Sequence, residues 1–309
     1  MKLLFYDDFR LGVVRGDEVV DVMDAVKEVP HTYPQDLIKG VIERWDTYKG
    51  KLEAAAASGQ GKPLSSVRIR PPLPKPANIA CMAVNYMENG TLPAPAPINA
   101  FHKSPLGIIG DGDTMVLPDV PATIFEGEAE LAVVFNKRAE NVSQDDAMSY
   151  IFGYVNFIDG SARGLPPAQN TFYQMKSRAT FCPIGPFLVT ADEVPNVQNL
   201  SVRLWNNGEL KQDFNTNDMA HNIKRCIEWV TSIHPMEAGD ILATGTNHRG
   251  LHSFQDGDKI ELEVEGLGRL HIGVRDDLKR KWSRDTRLDR QTRGQEGTTP
   301  QVEGKYAPA

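Results

Sequence analysis

The stretch FEGEAELAVVF at residues 125–135 sets two glutamates, Glu128 and Glu130, one residue apart at the mouth of an apolar run. The run of Leu, Ala, Val and Phe reads as a strand, and residues two apart in a strand point to the same side. Glu128 and Glu130 therefore share one face, while Leu131, Val133 and Phe135 take the other. Two carboxylates within about 6 Å raise each other's pKa and oppose folding unless something positive lies between them. A solvated strand end removes the difficulty, and so does a divalent metal ion held by hard oxygen ligands. The pair alone does not decide between the two.

Composition narrows the setting. The chain has 309 residues, 40% hydrophobic and 24% charged, which suits a globular protein with one large domain and a smaller companion. A formal net charge of −7 and a pI near 5.6 leave no global basic field for a polyanion, so nucleic acid is not expected as a partner. Cys81, Cys182 and Cys226 are widely spaced and form no CxxC or Cys/His cluster, so neither a disulfide framework nor a zinc site is expected. A reducing, cytoplasmic compartment fits this usage. The start MKLLFYDDFRLG has only a short apolar run, and no stretch is long enough to span a membrane.

Along the chain, residues 1–72 read as a small α+β N-terminal domain. It has short strands, a helix near DLIKGVIERW, and a helix end and linker in KLEAAAASGQGKPLSS. Four prolines in RIRPPLPKPANIACMAVNY mark the entry to the main body, residues 73–275. There Asn207-Gly208 predicts a hairpin turn between two arms, because both residues accept the positive φ of a type I′ turn. The stretch IELEVEGLGRLHIGV predicts a second hairpin that sets Ile260, Leu262 and Val264 beside Leu270, Ile272 and Val274. One helix is expected after Ser143 through DDAMSYIFGY, with Ser143 and Asp146 spaced like a capping box. Another is expected over DMAHNIKRCIEWVTSIH. Residues 276–309 read as a polar, peripheral extension, partly disordered at its end, whose arginines could instead dock a neighbouring subunit.

Three further stretches give the glutamate pair its context. GYVNFIDGSARG (153–164) places Asp159 just after the expected helix, QMKSRATFCPIGP (174–186) brings Lys176, and GDILATGTNHRG (239–250) ends a strand in a Gly/Thr loop. In this order and spacing the chain resembles the fumarylacetoacetate hydrolase family over roughly residues 73–274. The family patterns are NYxxH, ExEL before an apolar run, GY…ND.SAR, a lysine ahead of F.P.GP, and GD.I.TGTP.G; four of the five are present.

The resemblance implies a mostly-β body in which a mixed sheet rolls on itself, with the small α+β domain before it. It implies Glu128, Glu130 and Asp159 as ligands of Mg²⁺ or Mn²⁺, ions that also suit an all-oxygen ligand set from first principles. It further implies Lys176 as the cation that neutralises an enolate, and Thr246, Lys103, Tyr86 and Asn247 as substrate contacts. Arg163 fits either a structural or a site role. The expected substrate is a small 2-oxo acid or 1,3-diketone, and the expected assembly is a homodimer.

The pattern also breaks. In NYMENGTL, Asn89 stands at the family's histidine position and Leu92 at its glutamate position, and an amide is no general base near neutral pH. His248, directly after the Thr246 loop, is the leading substitute base, against the alternative of a solvent-facing loop histidine. His102 and Glu88 are further candidates. The lid stretch MENGTLPAPAPINAF suggests a less polar or bulkier substrate. The leading expectation is therefore a metal-dependent hydrolase or lyase that cleaves a carbon–carbon bond in a β-dicarbonyl or 2-oxo acid. The alternatives are a decarboxylase, enol–keto isomerase or hydratase of the same family, and a non-catalytic metal-dependent binding protein.

Overall fold

The computed structural model describes residues 1–167 and 172–308. Its centre is a pair of long antiparallel strands, Ile124–Phe135 and Ile151–Arg163, in register from Ile124 opposite Arg163 to Glu128 opposite Asp159 and beyond. Every residue of the first is buried, which follows from a sheet covered on both faces. These strands lie in a large mixed sheet. On one side of them run Cys182–Thr190, Lys2–Tyr6, Arg10–Arg15, Glu18–Asp21 and Gly61–Pro63; on the other, Ile241–Ala243, Ile79–Met82 and Ala100–His102. A second sheet holds Glu209–Asn215, Ser201–Asn206, Lys259–Val264, Arg269–Arg275 and Thr114–Val116.

Two cores result. Leu131, Val133 and Phe135 face the second sheet, packing with Val202, Leu204, Ile260 and Leu262. Ala132 and Val134 face the other way, toward Leu37, Ile38, Val41 and Leu52 of the helices Pro34–Glu43 and Trp45–Ser58. The mostly-β roll expected from the sequence is the fold observed. Both predicted hairpins form, with Asn207 and Gly208 at positive φ and Ile260 opposite Ile272.

Several local expectations are corrected. The helix expected through DDAMSYIFGY is only a 3₁₀ turn, Ala147–Tyr150, and Asp159 follows no helix but lies within a strand. Ser143 and Asp146 do exchange hydrogen bonds, but they close a turn. Beyond it the β-branched and aromatic residues from Ile151 gain more by pairing along the whole neighbouring strand than one helical turn could return. Of the stretch read as a helix end and linker, the alanines form the second half of the Trp45–Ser58 helix, as alanine's propensity favours, and the residues beyond it form the short strand Gly61–Pro63 rather than a free linker. The helix expected over DMAHNIKRCIEWVTSIH spans only Ile223–Thr231, started by the Asn222 side chain, which accepts from Arg225 N.

The N-terminal strands extend the body's own sheet, with Lys2 and Leu3 paired to Val189 and Leu188. The C-terminal segment is bound in more tightly than its polarity suggests. Arg280 is fully buried against Asp276 and donates to the carbonyls of Pro118 and Val120. Trp282 packs edge-on against Phe125. The three cysteines are free and buried, and among the described residues no helix is long and apolar enough to cross a membrane.

Candidate active site

Glu128 and Asp159 are register partners, so their side chains leave the same face of the sheet; Glu130, diagonal to Asp159, joins them. Ligand oxygens of the three lie within 4.8 Å of one another, all buried. The expected triad is thus assembled. It occupies the face that carries Ala132 and Val134 into the helix-packed core farther along the strand, at the end where cationic side chains replace the helices.

Two of these cations are lysines. Lys176 ends the short helix Phe172–Lys176 and donates to Glu128 Oε1 at 2.6 Å and Asp159 Oδ2 at 2.5 Å. Lys103 donates to Asp159 Oδ1 at 2.5 Å and to the Gly160 carbonyl at 3.0 Å. Both are 2% exposed. Burial opposes the Lys103 ammonium, but Asp159 outweighs it and holds its pKa above the ordinary lysine value. Burial likewise opposes ionisation of Glu128, but Lys176 and Arg163 override it and hold this carboxyl well below the usual range.

Glu130 goes the other way. Desolvation, then the charges of Asp159 and Glu128, push its carboxyl well up. Its Oε2 accepts from Gly245 N at 2.7 Å, whereas its Oε1, fully buried, has no hydrogen-bond partner. A buried oxygen with no partner, beside two further carboxylates, needs a positive partner. A hard divalent cation such as Mg²⁺ or Mn²⁺ fits that donor set.

The loop after strand Ile241–Ala243 closes the site. Asn85 fixes it, donating to the Thr244 carbonyl at 2.9 Å. Thr246 is buried, and its hydroxyl donates to the Ala129 carbonyl and accepts from Gln212, so the hydroxyl is committed to the protein. Asn247 donates to Asn89 Oδ1 at 3.2 Å. Tyr86 is wholly buried, stacked edge-on with Phe214, and its hydroxyl has no hydrogen-bond partner. Its phenol is pushed up by burial and by Glu130. His102 lies apart, against His234.

His248 is not a solvent-facing loop residue. Its Nδ1 lies 2.7 Å from Glu88 Oε1, and its backbone N–H donates to Glu88 Oε2 at 2.9 Å.

Two contributors, Glu126 and Gln212, were missed in the sequence, and the open role of Arg163 is now placed. Glu126 begins the same alternation as Glu128 and Glu130, so its place on that face was readable; it is buried between Arg163 and Arg287. Arg163, which also donates to Glu128, is a clamp between the two glutamates. Gln212, in the first hairpin, ties the Thr246 loop to the central strand by accepting from Ala129 N; nothing in its sequence context marked it.

A rolled mixed sheet with a buried all-carboxylate centre is the architecture of a metal-dependent enzyme. Residues 78–275 match the family described as fumarylacetoacetate (FAA) hydrolase C-terminal. The chain belongs to the fumarylacetoacetate hydrolase family of enzymes. It is 30% identical to a maleylpyruvate hydrolase of Aquipseudomonas alcaligenes, over 89% of this chain and 99% of that one. It is 31% identical to the oxaloacetate tautomerase YisK of Bacillus subtilis, over 86% and 96%. A solved maleylpyruvate hydrolase of Sphingobium sp. SYK-6, in complex with manganese(II) and pyruvate, superposes with a TM-score of 0.81 at 32% identity, covering 89% of this chain and 99% of that one.

Proposed function

We propose that the protein is a Mg²⁺- or Mn²⁺-dependent hydrolase of an acylpyruvate-type β-diketo acid, with the substrate's 2-oxo-acid end at the Glu128–Glu130–Asp159 triad. The observation that carries this reading is the unpartnered, buried Glu130 Oε1 in a triad flanked by two buried lysines. When bound, the divalent cation supplies a Lewis acid that polarises the substrate's adjacent oxygens. Lys176, held between Glu128 and Asp159, presents a desolvated ammonium to charge that develops as the carbon–carbon bond breaks. Lys103 donates to Asp159 Oδ1 and to the Gly160 carbonyl, which orients that carboxylate beside the two glutamates. Thr246 and Asn247 shape the loop over the substrate, and buried Tyr86 supports it from below. The relatives' activities, on maleylpyruvate and on oxaloacetate, are consistent with a small oxo-acid substrate.

A second reading, an oxo-acid tautomerase, is favoured by Asn89 at the position of the family's usual base, since tautomerisation needs a proton shuttle but no attacking water. Under either reading we take the enzyme as a cytoplasmic homodimer; sedimentation would check the dimer and cell fractionation the compartment. To separate the chemistries, metal-stripped protein is reloaded with Mn²⁺ or Mg²⁺ and incubated with acylpyruvates and oxaloacetate in ¹⁸O-water. Metal-dependent release of pyruvate and a carboxylate carrying ¹⁸O supports hydrolysis. Enol–keto exchange or CO₂ release without cleavage would replace it with the second reading or a decarboxylase.

A further inference from the structure

The family's base position is filled by Asn89, yet one residue earlier the chain places a carboxylate against an imidazole. Glu88 receives His248 twice, through Nδ1 at 2.7 Å and through the backbone N–H at 2.9 Å. Their side chains are 12% and 24% exposed, so the pair is mostly desolvated but open to one side. That side is a cavity of about 450 Å³, walled by Glu88, Thr91, His248 and Arg249 and, opposite, by Arg287, Leu288 and the loop to Thr298.

The pair is held, not incidental. Glu88, Asn89 and Gly90 lie in succession at φ 54°, 59° and 71°, a left-handed run that costs non-glycine residues conformational energy and persists only where the surroundings enforce it. Asp218 enforces it, accepting from Asn89 N at 2.7 Å and Gly90 N at 3.0 Å. The His248 loop is fixed from the other side, since Arg287 N donates to the Leu251 carbonyl and Leu288 N to the Arg249 carbonyl. The same loop is anchored at the triad's strand, where the Thr246 hydroxyl donates to the carbonyl of Ala129, the residue between Glu128 and Glu130.

We propose that Glu88 and His248 form a relocated acid–base dyad, in which His248 is the catalytic residue and Glu88 its positioning partner, working on a substrate arm seated in the cavity closed by the C-terminal segment. The inference rests on the reading under Proposed function. A carboxylate on Nδ1 fixes the tautomer that leaves Nε2 free to accept a proton. Nε2 takes a proton from water as its oxygen bonds to the acyl carbon. The carbon–carbon bond then breaks with its electron pair left on the pyruvate fragment as the enolate. The imidazolium returns its proton to that carbon, giving pyruvate, and the new carboxylic acid ionises to release the second proton of the water. An acyl arm rather than a bare C4 acid suits a cavity of this volume. The charged groups that face the pair are Arg249, Arg287 and Glu296 from the cavity walls and Asp218 beneath the turn.

The test uses the Mn²⁺-loaded full chain with H248A and E88Q. H248A is expected to lose about 10²–10⁴-fold in kcat with KM and Mn²⁺ affinity little changed, and to regain part of it with added imidazole, which the open cavity admits. E88Q keeps an acceptor for the His248 N–H but not the charge. It is expected to lose roughly tenfold in kcat with KM and Mn²⁺ affinity little changed, the split expected of a residue that only orients the base. Wild-type turnover with H248A within threefold of it, or an E88Q variant whose kcat equals that of wild type, overturns the dyad alone. Wild type that binds Mn²⁺ but cleaves no acylpyruvate overturns the functional reading and the dyad with it.

Discussion

Glu128 and Asp159 sit directly opposite each other in adjacent antiparallel strands, and the Lys176 ammonium bridges them at 2.6 and 2.5 Å. Removing that ammonium while keeping the stem, as in Lys176→Met, leaves two facing carboxylates without their shared cation. We expect kcat to fall by about 10²–10³, the usual loss for one donor aimed at developing charge. Mn²⁺ should also raise the melting temperature of the variant more than that of wild type, because the metal then supplies the missing charge. Calorimetry with and without Mn²⁺ reads this; equal shifts would mean that Lys176 does not balance the triad.

Glu130→Gln removes the carboxylate whose Oε1 has no protein partner. Wild type at a hundredfold excess of Mn²⁺ over Kd should gain about 2.7 kcal/mol of stability, and chelation should remove it. The variant should show little of that gain. An unchanged metal response in thermal shift would exclude Glu130 as a ligand.

Gly245 adopts φ +88°, and a Cβ there would lie 3.0 Å from Asn85 Cβ. Gly245→Ala therefore imposes left-handed strain of about 1–3 kcal/mol and displaces the N–H that fixes Glu130. A lower melting temperature together with weaker Mn²⁺ binding by titration is expected; the first without the second would show that the Glu130 contact survives.

Arg163 and Arg287 both bind Glu126, but only Arg163 also binds Glu128. Arg163→Ala takes a partner from two buried carboxylates, leaving Glu126 with Arg287 and Glu128 with Lys176, while Arg287→Ala takes one from Glu126 alone, so Arg163→Ala should cost more. Urea denaturation orders the two; the reverse order would contradict the clamp.

His252 is buried with Nδ1 near the Gly250 carbonyl and Nε2 near the Asn206 amide, an arrangement that suits the neutral ring. Burial lowers its pKa to about 4 from the model-peptide value of 6.5. Between those values the unfolded chain takes up a proton that the folded chain refuses, so stability falls as pH drops from 6.5 toward 4, by about 3 kcal/mol at most. His252→Gln should flatten that part of the stability–pH curve. A curve of the same slope in the variant would assign the loss to other groups.

The alternation in FEGEAELAVVF placed the carboxylates on one face, and turn chemistry placed both hairpins, because strand period and the φ of Asn-Gly are local properties of the chain. Composition and motif order were enough to reach the family and the three metal-ligand candidates. Three other features were not local. Whether residues 151–154 would continue a helix or begin a strand depended on a partner strand already waiting beside them. The burial of Arg280 depended on carbonyls distant in sequence. The pairing of Glu88 with His248, 160 residues apart, was decided only when the Asp218-braced turn and the Thr246 loop met in space. A one-dimensional pattern reports which side a residue faces; only the closed sheet determines what stands opposite it.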